Sequence, residues 1–368
     1  MIFSRRALVG SIPLLLARTG ARAEGRSAAE AAEWPARLIR FIVPAAPGSA
    51  GDTVCRLIAA KLGERLSQQL VIANQPAAVG TLAIGELARS TPDGYTIGQI
   101  SESTQVIAKL YNPGLPYDGI KDFALISLLG SSPYVLAVHS GLPARNVAEL
   151  VALAKRQTLS NGVFGTMSLG YLASKVFERE AVISLNHIPY QSSAQAVIDV
   201  VAGRVEMQFS TLPPAIPLIR SGRLRALATT GAQRFATLPE VPTLAESGFA
   251  GFDVALWIGM AAPAGTPAKI IARLNSELTT LLNSDEMRDA ILQQSFVAES
   301  SSPDALARRI SAGLMKWRDV VANAGSPPDT RQREHCRDFI PSELITCASA
   351  RRGRQWIRAR RARHRRWE

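Results

Sequence analysis

One unit recurs along this chain: a short apolar strand, a loop of small residues and an amphipathic helix. Residues 38–43 predict a strand, residues 44–51 a loop rich in Ala, Gly, Pro and Ser, and residues 52–66 carry apolar side chains at helical spacing. The same order is predicted at three further places, with strands at residues 69–72, 135–138 and 163–164 and helices beginning at Thr81, Asn146 and Leu169. This alternation predicts an α/β fold with parallel sheets and right-handed crossovers.

The length of the chain predicts that these units are divided between two lobes. A chain of 368 residues can bury two sizeable cores, and its 47% hydrophobic and 20% charged residues are typical of a soluble α/β protein. No repeat with a period of roughly 20 to 50 residues is found, which excludes solenoids and propellers.

The net charge of +12 is concentrated at the two ends of the chain. Residues 1–23 contain four Arg and no acid, and residues 326–368 contain twelve Arg and five acids, which leaves +1 for residues 24–325. A nearly neutral body argues against a groove that follows a phosphate backbone. We therefore expect no nucleic-acid partner.

The first 23 residues predict a cleaved export signal. Arg5 and Arg6 precede an apolar run over residues 7–17, and an Ala-Arg-Ala sequence precedes Glu24, where the mature chain is expected to begin. The run is shorter than a bilayer span and contains Pro13, so a permanent anchor is the weaker alternative. The paired arginines leave both the Sec and the Tat route open. We expect a soluble periplasmic protein.

The sequence contains no recognisable catalytic, metal or cofactor constellation. His139 and His187 are the only histidines between residues 24 and 325, and both are expected to be structural. Ser168 lacks the flanking glycines of a nucleophile elbow. Cys55 is predicted to be a small buried apolar residue, and Glu102 is expected on a solvated face. An enzyme is therefore disfavoured.

Three loops of small residues each precede a predicted helix, at residues 44–52, 75–81 and 165–168. Small side chains leave backbone N–H groups accessible, and the positive end of a helix dipole lies beside them. Such loops can hold a carboxylate. The alternative for the first loop is an ordinary tight turn in which Asp52 is the helix N-cap.

Short turn and packing motifs follow one another in a fixed order. They are Trp34-Pro35, Val43-Pro44-Ala45-Ala46-Pro47-Gly48 with Asp52 and Arg56, Asn74-Gln75-Pro76, Pro92-Asp93-Gly94-Tyr95-Thr96, Pro189-Tyr190-Gln191, Gly222-Arg223-Leu224-Arg225-Ala226-Leu227, Leu238-Pro239-Glu240-Val241-Pro242-Thr243 and Ala262-Pro263-Ala264-Gly265-Thr266-Pro267. In this order they resemble the extracytoplasmic solute receptors of tripartite tricarboxylate transporters, the Bug-type family, over residues 34–325.

The resemblance implies a type II periplasmic-binding-protein fold, with residues 34–130 and 251–325 in lobe 1 and residues 131–250 in lobe 2. It implies a monomeric receptor without a cofactor or metal, which closes its lobes around a small carboxylate and delivers it to a two-component membrane permease. The ligand-binding residues that it implies are Ala46, Pro47, Gly48, Ser49, Ala50, Asp52, Ala78, Val79, Gly80, Thr81, Thr166, Ser168, Ser210 and Thr211.

The chain departs from the family pattern in its loops and its tail. Ala45 stands where an aromatic residue is usual, and Val79 replaces a glycine, at a cost of about 1 kcal/mol if its φ must be positive. The altered loops leave open a relic without a ligand site. Two further alternatives are a ligand-presenting partner of a membrane sensor kinase and an exported enzyme on a related two-lobed fold. The Arg-rich residues 326–368 are expected to be disordered or frameshift-derived, with a genuine lipid-binding or nucleic-acid-binding tail as the alternative.

Overall fold

The computed structural model describes residues 34–76, 80–164 and 168–323. The strands are β1 (Ile39–Val43), β2 (Leu70–Asn74), β3 (Thr96–Ser101), β4 (Phe123–His139), β5 (Leu159–Phe164), β6 (Leu185–Tyr190), β7 (Met207–Thr211), β8 (Leu224–Thr229), β9 (Ala255–Pro263) and β10 (Val297–Ala298). The predicted export signal and the Arg-rich tail lie outside the described residues.

Helices follow most of the strands. They are α1 (Ala50–Leu66), α2 (Thr81–Ala88), α3 (Ala108–Tyr111), α4 (Val147–Ala154), α5 (Leu169–Ala181), α6 (Ser193–Val201), α7 (Leu212–Arg220), α8 (Ala268–Leu282), α9 (Asp285–Gln293) and α10 (Pro303–Asn323), and a π-helical turn (Ser103–Ile107) precedes α3. Within the described ranges, no helix is long and apolar enough to cross a membrane.

The strands form one curled sheet with two halves, in the order β2-β1-β3-β9-β4-β7-β5-β6. In the first half β1 runs parallel to β2 and β3, and in the second half β5 runs parallel to β6 and β7. The prediction of parallel pairing is correct for these strands. It is wrong for β4 and β9, which run antiparallel to their neighbours.

The long strand β4 joins the two half-sheets. Its first part pairs with β9 up to the Pro133–Ala255 pair, and its second part, from Tyr134, pairs with β7 and β8. The chain returns to the first half through β9. The prediction of parallel pairing is wrong here because an extended apolar run does not reveal its direction relative to strands that are distant in sequence.

Buried apolar side chains pack the helices against both half-sheets. One core joins α1 and α8 to β1 through residues such as Ile58, Leu278 and Phe41. Another extends across β4 and includes Phe177 of α5 and Trp317 of α10. Each such side chain stabilises the fold by about 1.5–3 kcal/mol relative to its exposed state.

Most predicted elements lie close to the observed ones. The helices α2 and α5 begin at their predicted starts, Thr81 and Leu169, whereas α1 begins two residues before its predicted start at Asp52. Ser49, not Asp52, is the N-cap of α1, so this part of the turn prediction is wrong. Cys55 is fully buried, as predicted.

Candidate ligand cleft

The topology places the carboxyl ends of three parallel strands at one edge of each half-sheet. In the first half these ends are Val43, Asn74 and Ser101, and in the second half they are Phe164, Tyr190 and Thr211. Loops that leave such strand ends and enter helices are the usual ligand-binding positions of open α/β sheets. Each half therefore offers one candidate binding edge.

The first candidate loop connects β1 to α1 and has an exposed tip. Ala46, Pro47 and Gly48 are exposed, and Gly48 has a φ of +77°. Within the described residues, the backbone N–H groups of Ala46, Ala50 and Gly51 have no acceptor. The loop and the first turn of α1 thus present three amide donors, beside the positive end of the helix dipole.

Asp52 holds this loop in shape from inside. Its side chain is 1% exposed and accepts hydrogen bonds from the Gly48 amide at 2.8 Å, Asn74 Nδ2 at 2.7 Å and Arg56 Nε at 2.9 Å. Burial alone raises the pKa of Asp52, but these bonds and the Arg56 charge hold it below its ordinary value. The ionised carboxylate therefore ties the loop to the end of β2.

The second candidate loop packs directly against the first. Gly80, immediately before α2, is buried with a φ of +85°. A Cβ at this position would lie 2.6 Å from Pro44 Cβ and 3.3 Å from Thr104 Cγ2. Thr81 is the first residue of α2, whereas Ala78 and Val79 lie outside the described residues. The structure therefore brings the predicted Gly80 and Thr81 beside the first loop.

The second half-sheet contributes hydroxyl groups at its edge. Ser168 is the N-cap of α5 and accepts from the Tyr171 amide at 3.2 Å. Ser210 is fully buried, and its hydroxyl donates to the Thr211 carbonyl at 2.9 Å. Thr211 is half-buried immediately before α7, and Thr166 lies outside the described residues.

Sequence reasoning missed Ser193, which organises this edge. Its hydroxyl lies 3.3 Å from Ser210 Oγ and accepts from the Thr211 amide at 3.3 Å and from Gln208 Nε2 at 3.0 Å. The preceding Ser192 is the N-cap of α6. Two serines between a strand and a helix are an N-cap signal, which could have indicated this position.

A cavity of about 590 Å³ separates the first loop from the second half-sheet. Gly48, Ala50 and Thr53 line one side, and Pro213 and Ile216 of α7 line the opposite side. This volume lies within the range of about 300–1,000 Å³ that small-molecule pockets occupy. The loop that carries these amides therefore borders, through Gly48 and Ala50, a gap of ligand size between the two halves.

The prediction that Glu102 lies on a solvated face is wrong. Its side chain is 6% exposed, and its carboxylate accepts hydrogen bonds from the indole N–H groups of Trp257 and Trp317, the latter at 2.7 Å. Burial raises the pKa of Glu102 to about 7, against the lowering effects of the Trp317 bond and of the Arg309 and Lys316 charges. Tertiary contacts, and not the neighbouring residues, set its environment.

The two histidines make structural contacts, as expected. His139 Nδ1 lies 3.2 Å from the Val200 carbonyl, and His187 Nε2 lies 3.0 Å from a carboxylate oxygen of Glu178. No cluster of three or more His, Cys, Asp or Glu residues that could hold a metal is present in the described part of the chain.

Known proteins with the same architecture resemble this chain closely. A family model described as tripartite tricarboxylate transporter family receptor matches residues 54–325. Protein BugT of Bordetella pertussis is 32% identical over 80% of this chain and 91% of its own length.

Two solved structures carry the comparison to the fold. Rpa4515 of R. palustris, solved with adipate, is 32% identical, with a TM-score of 0.73 over 80% of this chain and 100% of its own. MatC of Rhodopseudomonas palustris, solved with malate, is 29% identical, with a TM-score of 0.68 over 78% of this chain and 100% of its own. These neighbours confirm the predicted two-lobed periplasmic-binding fold, and the chain belongs to the family of tripartite tricarboxylate transporter receptors.

Proposed function

We propose that the mature protein is a periplasmic receptor that captures a small carboxylate between its lobes and delivers it to a two-component membrane permease. The observation that carries the proposal is the set of amides of Ala46, Ala50 and Gly51, which have no acceptor within the described residues. They belong to the loop and first helical turn whose Gly48 and Ala50 line the gap between the half-sheets. A carboxylate can accept hydrogen bonds from such donors without a cationic side chain. No covalent bond is made or broken in this function.

The binding energy comes from charge-assisted hydrogen bonds at the start of α1 (Ala50–Leu66). Each bond from an amide to a carboxylate contributes about 1.5–3 kcal/mol. The Asp52 carboxylate accepts a hydrogen bond from the Gly48 amide and so fixes the neighbouring amide donors before the ligand binds. A preorganised loop loses little conformational entropy on binding.

Closure of the second lobe would complete the site. We assign residues 34–130 and 251–325 to one moving unit and residues 131–250 to the other. The hinge would lie where the paired strands β4 and β9 pass from one half to the other, near Pro133 and Ala255. Ser168 and Thr211 would then face the ligand with their hydroxyl groups, and Ser210 would support Thr211 from behind through its bond to the Thr211 carbonyl. Hinge closure around a ligand is a common mechanism in periplasmic receptors.

The ligand class follows from the relatives and the donors together. The related structures hold adipate and malate, both small dicarboxylates. We therefore expect the ligand among di- and tricarboxylates, aromatic acids and acidic amino acids, with dicarboxylates first.

Thermal unfolding of the mature chain with this panel of acids tests the proposal. A ligand at 100 times its Kd should stabilise the protein by about 2.7 kcal/mol, which raises the unfolding midpoint. If no acid of the panel shifts the midpoint of the folded protein, carboxylate capture is refuted and the relic or signalling alternative takes its place.

A single substitution tests the role of the loop amides. Ala50→Pro removes one N–H at the first helical position, where proline fits the backbone and leaves the fold intact. The affinity for the stabilising acid should fall by about tenfold or more. Ala268→Pro is the matched control, because Ala268 holds the same position in α8, away from the cleft. Equal affinities in both variants would exclude the Ala50 amide from the site.

The export prediction has a direct test. We expect the protein in the periplasmic fraction, with a mature N-terminus near Glu24. N-terminal sequencing of the exported chain measures this, and an intact Met1 in the membrane fraction would instead support a permanent anchor.

A further inference from the structure

The buried carboxylate of Glu102 forms no ion pair within the described residues. Its oxygens accept from Trp257 on β9 and Trp317 on α10, and no side-chain nitrogen of a described Lys, Arg or His lies within 4 Å of them. Burying an ionisable group is costly unless its hydrogen bonds are satisfied.

The helix α10 approaches Glu102 so closely that a side chain would not fit between them. A Cβ at Gly313 would lie 2.7 Å from Glu102 Oε1. Four charged residues, Arg308, Arg309, Lys316 and Asp253, line the same cavity of about 670 Å³ without forming an ion pair with Glu102. Glu102 therefore contacts α10 through the Trp317 indole and through the close approach at Gly313, where Val106 also packs.

Glu102 lies next to the support of the second cleft loop. The turn that follows it is held by two hydrogen bonds: the Ser101 amide donates to the Thr104 hydroxyl oxygen at 3.0 Å, and Tyr117 Oη donates to the Thr104 carbonyl at 2.7 Å. The methyl group of Thr104 then faces Gly80, the residue from which α2 begins. A displacement of Glu102 would therefore move Ser103 and Thr104, and through the Thr104 methyl group it would also move Gly80.

The two tryptophans connect Glu102 to the hinge and to the second half of the molecule. Trp257 pairs with Ser131, two residues before β4 crosses at Pro133. The helix that carries Trp317 ends at Asn323, which lines a cavity together with Lys175 of α5. Glu102 is thus the point where the hinge strand, the last helix and the support of a cleft loop meet.

We propose that Glu102 is a positioning residue, through which β9 and α10 hold the second cleft loop at Gly80 in its binding geometry. Removing its carboxylate then loosens the start of α2 without loosening the rest of the first lobe. The consequence for ligand affinity rests on the proposed function, whereas the effect on the loop does not.

Hydrogen–deuterium exchange of the full mature chain without ligand tests the loop effect. In Glu102→Gln one indole faces an amide donor instead of an acceptor, and exchange over residues 80–88 should rise by about tenfold, while residues 268–282 exchange as in the wild type. Trp317→Phe should act in the same direction from the other end of the contact. Glu178→Gln is the control, because Glu178 is also a buried carboxylate but packs in the second half.

A second measurement separates positioning from general stability. A merely structural role would raise exchange over residues 80–88 and residues 268–282 together, which would overturn the proposal, as would unchanged exchange over residues 80–88. Adipate binding is then measured for the wild type and Glu102→Gln. If the wild type binds adipate, the variant should bind at least about tenfold more weakly, and equal affinity would overturn the link to the ligand. If the wild type does not bind it, the ligand class is at fault, and the exchange result still decides the role of Glu102.

Discussion

A single methyl group at Gly80 should separate the two cleft loops. The φ of Gly80 is +85°, and an added Cβ would meet Pro44 Cβ at 2.6 Å and Thr104 Cγ2 at 3.3 Å. Neither neighbour can move freely, because Pro44 directly follows β1 and the Thr104 hydroxyl is bonded to the Ser101 amide. Gly80→Ala therefore combines backbone strain with overpacking.

The two contributions can be estimated separately. A non-glycine residue in the left-handed region costs about 1–2 kcal/mol, and an extra methyl group in a packed site costs about 1–3 kcal/mol. The free energy of unfolding of Gly80→Ala should fall by their sum, about 2–5 kcal/mol. Gly222→Ala isolates the first contribution, because Gly222 has a φ of +73° and open space around its added Cβ.

Urea unfolding of the wild type and both variants measures these differences. The excess loss in Gly80→Ala over Gly222→Ala should be about 1–3 kcal/mol. In parallel, the acid that stabilises the wild type should bind Gly80→Ala at least about tenfold more weakly and bind Gly222→Ala normally. Equal losses of stability in the two variants would refute the contact between Pro44 and Gly80, and with it the derived geometry of the cleft.

Three further predictions concern buried ionisable groups. Because hydrogen bonds and Arg56 lower the pKa of Asp52, its stabilising contribution is present above pH 3.8 and lost at lower pH. The Asp52→Asn variant should therefore be less stable than the wild type at pH 7 and should lack this part of the acid dependence. Urea unfolding midpoints from about pH 2 to 7 measure both effects. The pH dependence due to Glu102 has the opposite sign, because burial raises its pKa from 4.5 to about 7. The free energy of unfolding of the wild type should therefore fall by about 3 kcal/mol as the pH rises from 4.5 to 7. Glu102→Gln should lack this loss, and a flat wild-type profile would contradict the burial of the carboxylate. Burial also raises the pKa of the Cys55 thiol, so peptide mapping after alkylation should find Cys55 unmodified in the folded protein and modified in urea.

Much of the fold and the first cleft loop could be predicted from local sequence. The apolar strand before Pro44, the small residues after it and the helical spacing in α1 are local properties, and they place the loop amides at a helix start. The parallel pairing of β1 with β2 and β3 follows from the same alternation. The antiparallel direction of β9 could not be predicted, because β9 returns from the second half after more than a hundred residues of intervening chain.

The two buried carboxylates show how far a prediction from neighbouring residues can reach. Asp52 finds partners 4 and 22 residues away, so its neighbours indicate a role in the loop, although not the choice of Ser49 as N-cap. Glu102 finds its partners 155 and 215 residues away. Its flanking Ser and Thr residues suggest solvent, and no property of the segment itself could correct that expectation.

A different signal for Glu102 was present in the distant helix. Gly313 interrupts the amphipathic pattern of α10, four residues before Trp317, at a cost of about 1 kcal/mol relative to alanine. Gly in a helix interior indicates that another group approaches the backbone, and the N–H of a buried Trp indole usually finds an acceptor. Together the two residues predict a buried acceptor against this face of the helix, and Glu102 supplies it. The sequence of α10 thus predicts a buried acceptor, whereas the residues that flank Glu102 do not indicate that it is buried.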